Sequence, residues 1–260
     1  MLILIAESKT MAACDMAVSP GEYAAHRPAF DDAADDIMAA LRGSTAEELS
    51  QVVRISPALA RRLVQMVYDF PNKCTGGKAI QSYTGVVFRS LGYDSLPDSS
   101  REDLCGRVRI VSSLYGWLRP DDIIKPYRFD FTTALAPGGV TFAKYWRDAL
   151  SECLMRDLRE MDCGDVLDLL PGEAMRCIDQ KRCAAACRIW KVDFREVGPG
   201  GVMRTPNSGR LKTLRGRLLR QIASEGITAP EGLRGLSSDD YYCDNISGAS
   251  STITFHTCAD

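Results

Sequence analysis

Histidine is scarce in this 260-residue chain, which has only two, His26 and His256. A multi-histidine metal centre or a serine–histidine triad therefore has few candidates, and neither histidine sits in a recognisable motif. No Walker loop or dinucleotide fingerprint occurs. No apolar run approaches the roughly 18–20 residues that span a bilayer, and the opening MLILIA has neither the basic leader nor the length of a secretory signal. A soluble, unexported, cytoplasmic protein is expected. The ten cysteines (14, 74, 105, 153, 163, 177, 183, 187, 243 and 258) include no CxxC pair. A chain of this length can bury a core without disulfides, so reduced thiols serving as small apolar core residues are expected. Cys183 and Cys187, four apart on one helix face, make with Cys177 only a weak case for a metal or redox site.

What is present is the composition of a globular protein: 45% hydrophobic residues, 25% charged, and 32 Lys and Arg against 34 Asp and Glu. The charges are unevenly placed. Residues 1–43 carry three basic and seven acidic side chains, whereas 202–220 carry six basic ones (Arg204, Arg210, Lys212, Arg215, Arg217, Arg220) and no acid. An acidic total argues against polyanion binding, but a local excess of Lys and Arg is what neutralises phosphates.

Along the chain, MLILIA suits a buried strand, and the polar Glu7-Ser8-Lys9-Thr10 at its carboxyl end is where sheet proteins often place function. Residues 31–43 predict a helix stopped by Gly43. Ser44 with Glu47, or Thr45 with Glu48, can close a capping box on a helix running to about Arg54. Ser56 and Pro57 then start a second helix with Leu59, Leu63, Met66 and Val67 on one face. Together residues 46–69 form a helical hairpin. VVFRSLGY (86–93) is open between strand and helix, and RVRIVSSLYGWL (107–118) begins as a strand. Further elements are an amphipathic helix at 142–160, strands at 166–170 and 188–198, a basic helix at 209–224, and late strands in YYCD and STITF. Strands alternate with helices without repeats or long linkers. This pattern favours one mixed α/β domain over residues 1–260, with a mixed central sheet, surrounding helices and the embedded hairpin.

On a wheel of the basic helix, Leu211, Leu214, Leu218, Leu219 and Ile222 occupy an arc of about 140°. Arg210, Arg217 and Arg220 fall outside it, but Arg215 falls inside. Its guanidinium must therefore either snorkel along a solvated face or stand at the floor of an anion-binding cleft. The stretch SSLYGWLRPDDIIKPYRFDF interleaves Tyr115, Trp117, Tyr127, Phe129 and Phe131 with Arg119, Lys125 and Arg128. Such a stretch is either core or a stacking surface beside phosphate-binding cations. Arg54, Arg61 and Arg62 flank the hairpin turn, where Pro57 removes one backbone donor. Asp121, Asp122, Asp130 and Glu173 are the acids available for acid–base or Mg²⁺ chemistry, although an Asp-Asp after Pro120 also suits an ordinary turn.

MLILIAESKT, the RISPALA turn, the SLYGWLRPDDIIKPYR block, LRGRLLR and GLSSDDYYCD together resemble the YaaA (DUF328, UPF0246) family of bacterial peroxide-stress proteins. The resemblance spans nearly the whole chain in family order, and the SLYG..RP.D.I.PYR block is its most specific part. It implies a cytoplasmic protein that protects against oxidative damage and is associated with limiting intracellular iron. It also implies binding of duplex or branched DNA, tolerant of sequence, through a positively charged cleft and a helix-hairpin-helix element at 46–69. On that basis Lys9, Arg54, Arg61, Arg62, Arg119, Lys125, Tyr127, Arg128, Lys212, Arg215 and Arg220 are the expected nucleic-acid-binding residues. No catalytic residue, metal or cofactor is assigned, and the oligomeric state is left open. Where the family pattern resembles SPAKT, Glu7 adds an anion beside Lys9. Val86, Phe88, Pro171 and Ala174 stand where the pattern is polar. A cleft that only positions phosphates tolerates such changes. The alternative is an enzyme acting on a small phosphorylated or nucleotide ligand, which requires a deep pocket with Glu173 or Asp130 near the arginines.

Overall fold

The computed structural model describes residues 1–13 and 16–257. Cys14 and Cys258 lie outside them. The strands are β1 (Leu2–Ala6), β2 (Met16–Ala17), β3 (Thr75–Lys78), β4 (Val108–Ser112), β5 (Gly116–Leu118), β6 (Ile123–Ile124), β7 (Asp165–Asp168), β8 (Arg188–Val197), β9 (Met203–Arg204), β10 (Tyr241–Ser247) and β11 (Thr252–Thr257). The helices are α1 (Pro20–Ala25), α2 (Asp31–Ala40), α3 (Ala46–Val53), α4 (Pro57–Asp69), α5 (Ala79–Ser82), α6 (Val86–Leu91), α7 (Asp98–Arg107), α8 (Phe142–Glu160), α9 (Gly172–Met175), α10 (Gln180–Cys183) and α11 (Ser208–Glu225).

All five residues of β1 are buried. A strand apolar at every position suits the middle of a parallel sheet, where both faces are covered. β1 lies there, with β4 parallel on one side and β7 parallel on the other. The large sheet runs β10-β11-β8-β7-β1-β4-β5, with β9 against β8, and a smaller sheet runs β2-β3-β6. After β1 the chain builds outward through β4 and β5, then returns to the other side of β1 for β7, β8 and β11. The strand order therefore reverses at the β1–β7 boundary. Open α/β sheets leave a crevice at the carboxyl ends of the strands at such a boundary. One continuous apolar core joins the sheet to its helices, in a single mixed α/β domain.

The local signals explain most elements. Thr45 and Glu48 close the capping box of α3, and Ser56 caps α4 with Pro57 in its first turn. Arg54 ends α3 in the left-handed conformation (φ 57°), and Ser50 Oγ donates to the Ile55 carbonyl at 2.6 Å, locking the three-residue turn. VVFRSL is a helix, α6, held between Gly85 and a left-handed Gly92. The 107–118 segment divides into β4 and an antiparallel return, β5.

A buried ionic cluster ties this edge to α8. Asp157 accepts from Arg109 Nε at 2.5 Å, from Trp117 Nε1 at 2.9 Å and from Arg156 at 2.9 Å. Burial pushes the Asp157 carboxyl upward, but the Trp117 bond and the two guanidiniums outweigh it and hold the group below its ordinary range.

The aromatic stretch is core and not a stacking surface. Tyr115, Trp117, Tyr127, Phe129 and Phe131 are all buried, linked by tilted and edge-on ring contacts such as Tyr115–Tyr127 and Tyr127–Phe129. At roughly 150–250 Å² of apolar area each, these rings contribute more by leaving water than an exposed stacking site returns. Cys153, Cys177 and Cys183 are also buried, and every described cysteine is a free thiol. Among the described residues no helix is long and apolar enough to cross a membrane.

Candidate anion-binding site

The loop after β1 and the segment after β7 open onto the crevice at the strand-order reversal. Between them lies a cavity of about 350 Å³, lined by Glu7 to Thr10, by Gly85 to Arg89, by Asp130 and Phe131, by Leu169, Pro171 and Glu173, and by Lys212 and Arg215.

Two glycines bring these segments together. A Cβ on Gly85 would lie 2.5 Å from the Ser8 Cβ, so the loop after β1 rests directly on the start of α6. A Cβ on Gly216 would lie 2.3 Å from the Val87 carbonyl oxygen. Glycine there lets α11 cross α6 at close range, and that crossing carries Lys212 and Arg215, one turn and one residue earlier, to the cavity wall.

Arg215 is half-buried and makes no hydrogen bond or ion pair among the described residues. Burial pushes its guanidinium below its ordinary pKa, and only the field of Asp168 and Glu173 opposes this. A cation withdrawn from water without a partner is a standing electrostatic cost, and an incoming anion relieves it. Lys212 stands exposed beside it.

Glu7 forms the opposite pole. Its Oε2 accepts from the Ser113 backbone N–H at 2.8 Å and from the Tyr127 hydroxyl. The Tyr127 hydroxyl is 2.7 Å from both Ser112 Oγ and the Tyr83 hydroxyl. With its single proton given to Glu7, Tyr127 accepts from the other two. Burial raises the Glu7 carboxyl to about 7, partly offset by the Tyr127 and Ser113 bonds. Asp168, at the end of β7, is likewise raised by burial, to about 6, against the Leu170 N–H bond and the pull of Arg215. Near neutral pH Glu7 can therefore either give or take a proton.

A second cavity of about 310 Å³ shares Lys9 and Asp130 with the first and adds Arg54, Ile55, Arg128, Thr132 and Thr133. The turn of the α3–α4 hairpin forms part of its rim. Lys9 Nζ donates to Asp130 at 2.9 Å, and Asp130 also accepts from Thr132 N at 2.9 Å and Thr132 Oγ1 at 2.6 Å. Burial works against ionisation of Asp130, but these donors bring it down to about 2. Arg128 donates to the Lys9 carbonyl, while its Nε is buried without a hydrogen-bond partner among the described residues. The two cavities together present six cations, Lys9, Arg54, Arg89, Arg128, Lys212 and Arg215, against three carboxylates, Glu7, Asp130 and Glu173.

Five expected binding residues thus meet here: Lys9, Arg54, Arg128, Lys212 and Arg215. Others do not. Lys125 is buried and donates to the carbonyls of Asp69 and Asn72, tying the end of α4 to the core. Tyr127 is buried and reaches the site only through Glu7. Arg220 donates to the carbonyls of Leu91 at 2.9 Å and Gly92 at 3.0 Å, and so caps the end of α6. Arg119 is exposed, but β5 runs antiparallel to β4 and carries it away from the strand ends. Arg61 and Arg62 are exposed on α4 and line neither cavity.

Arg89 was not anticipated, because the strand-or-helix ambiguity of VVFRSL hid which way it faces. The departures Glu7, Val86, Phe88 and Pro171 all line the larger cavity, a signal that was present in the sequence. Among the described residues no group of three His, Cys, Asp or Glu side chains is placed to hold a metal ion.

Fold and site together define an open α/β protein with a cationic cavity at the carboxyl ends of its central strands. The family model described as peroxide stress protein YaaA matches residues 1–246, and the chain belongs to that family. A UPF0246 protein of Rhizorhabdus wittichii is 30% identical over 242 residues, covering 93% of each chain. A UPF0246 protein of Parabacteroides distasonis is 29% identical over 246 residues, again covering 93% of each. One from Bacteroides fragilis is 30% identical over 240 residues, with 90% of each covered.

Proposed function

We propose that this peroxide-stress protein binds DNA along the joined cavities, with Lys9, Arg54, Arg128, Lys212 and Arg215 contacting backbone phosphates. The observation that carries the reading is the meeting of these five cations, from four separate parts of the chain, around two cavities that share Lys9 and Asp130. The Arg215 guanidinium and Arg128 Nε supply donors that no side chain among the described residues uses. The rest of the basic helix argues for selectivity in this arrangement. Arg217 is paired with Asp240 and Arg210 with Glu196, whereas Lys212 and Arg215 of the same helix line the cavity with no hydrogen bond or ion pair among the described residues. The buried aromatics leave no ladder for stacking a single strand, so the reading favours duplex or branched DNA held by its backbone without base readout. In this account the DNA-bound protein acts in the cytoplasm, and its protection against oxidative damage is associated with limited intracellular iron.

The test is fluorescence anisotropy on several duplexes of unrelated sequence. Arg215→Ala and Arg128→Ala should each weaken all of them about equally, by on the order of 1 kcal/mol or more, while leaving the fold intact. Weakening confined to one sequence, or none at all, would contradict backbone binding through these residues.

A further inference from the structure

The larger cavity has features that phosphate binding on an open groove does not need. It is recessed into the sheet and roughly the size of one small ligand, near the lower end of the usual range of about 300–1,000 Å³. Its walls differ in chemistry. One carries Lys212 and Arg215, the latter without a hydrogen bond or ion pair among the described residues. Another is apolar, from Ile5, Phe88, Phe131 and Leu169. Glu7, anchored by Tyr127 and Ser113, adds a fixed carboxyl. A ligand matching all three has an anionic end, a flat apolar body and an edge that exchanges hydrogen bonds with a carboxyl. The neighbouring cavity, joined through Lys9 and Asp130 and carrying Arg54 and Arg128, continues the cationic lining away from this pocket.

We propose that the larger cavity takes up a single nucleotide unit, with its phosphate on Arg215 and Lys212, its base along Phe88, Phe131 and Leu169, and the edge of the base at Glu7. In a DNA complex this is a nucleotide turned out of the duplex, and the next phosphates of its strand run over Lys9, Arg128 and Arg54. For that strand the inference rests on the DNA-binding reading; for the cavity itself it does not. Turning a nucleotide out costs a few kcal/mol and is cheapest at a damaged or mismatched position. The site therefore prefers duplexes with an unpaired base.

The experiment uses the full chain and 2-aminopurine as the probe, in two arms. In one, a duplex carries 2-aminopurine opposite an abasic site; in the other, 2-aminopurine deoxyriboside 5′-monophosphate is free in solution. Binding of the duplex should give a several-fold rise in fluorescence, because the base leaves its stack. Val86→Trp, which puts an indole in place of a valine in the cavity lining, should abolish the rise while thermal melting stays cooperative. Saturable duplex binding with no change in fluorescence, together with no stabilisation by the free nucleotide, overturns the proposal and leaves the DNA-binding reading standing. If no duplex binds but the free nucleotide stabilises the wild-type protein and not Arg215→Met, the cavity is a nucleotide site and the DNA reading fails instead. If neither arm responds, both fall.

Discussion

Glu7 shows how one side chain can connect the sheet to the chemistry of the site. It follows the last residue of the central strand, its backbone N–H donates to the Val111 carbonyl of β4 at 2.9 Å, and the Tyr127 and Ser113 donors fix its carboxyl. Burial raises Glu7 to about 7, Asp122 to about 7 and Asp168 to about 6. The folded protein therefore binds more protons than the unfolded chain between roughly pH 4 and 7, and stability falls as pH rises through that window. Glu7→Gln should flatten this decline and raise stability at pH 8 relative to wild type, as read from urea denaturation at pH 5 and pH 8. An unchanged pH dependence would mean that Glu7 is not held in this environment. Below about pH 4 the sign reverses. Asp31, Asp130 and Asp157 are depressed in the fold, and the stability they contribute is lost as they protonate.

The arginines divide in a way that only three dimensions reveal. Arg215 fell within the apolar arc of its helix, and that conflict between position and chemistry was readable from sequence. Arg220 lay on the solvent side of the same helix, yet it is consumed by the carbonyls of Leu91 and Gly92, a partnership 128 residues distant that no local pattern encodes. Lys125 stands among aromatics that left core and surface both open, and its acceptors, the carbonyls of Asp69 and Asn72, come from the last residue of α4 and the loop after it.

At the level of elements, the crossing of α6 and α11 assembles the site. The 2.3 Å separation between a Cβ on Gly216 and the Val87 carbonyl oxygen leaves no room for a methyl group, and the obstacle is backbone. Gly216→Ala should destabilise the protein by about 1–3 kcal/mol despite alanine's better helix propensity. It should also weaken anion binding more than a neutral surface change in α11, as seen by denaturant titration alongside ligand affinity. A stabilised variant would show that the helices cross differently. The Arg109–Asp157 pair holds the other side of the sheet. Asp157→Asn leaves Arg109 charged and buried without its carboxylate, with an expected cost of about 3–5 kcal/mol in the same assay.

Elements whose signals are local were legible in advance. The capping box at Thr45 and Glu48, the Ser56-Pro57 helix start and the LILIA strand each carry their own chemistry. VVFRSL was ambiguous because six residues fit either period, and it became a helix through its packing on α11. The aromatic block stayed open between core and surface for a related reason. Tyr115, Trp117 and Tyr127 look the same in sequence whether they face water or each other; the antiparallel turn from β4 to β5 buries the first two, and the hydroxyl of Tyr127 meets Tyr83, Ser112 and Glu7 inside.

At the scale of the whole molecule, the near-balance of charge conceals a polarity that matters only if the fold gathers it. Most arginines are spent on ion pairs or carbonyls, and the trough holds six cations around the strand ends. None of the described thiols lines either cavity. Cys153, Cys177 and Cys183 are core residues, and the thermal midpoint should not move when a reductant is added. A shift of several degrees would point to a bond that the described residues do not contain.

The affinity for a random-sequence duplex, measured by anisotropy between 50 and 200 mM salt, tests the central claim most directly. If Lys9, Arg54, Arg128, Lys212 and Arg215 each neutralise a phosphate, the log–log slope should be roughly −4 to −5, becoming about 0.9 shallower in Arg215→Ala. Binding that stays constant across that range, or a slope that Arg215→Ala leaves untouched, would contradict the trough.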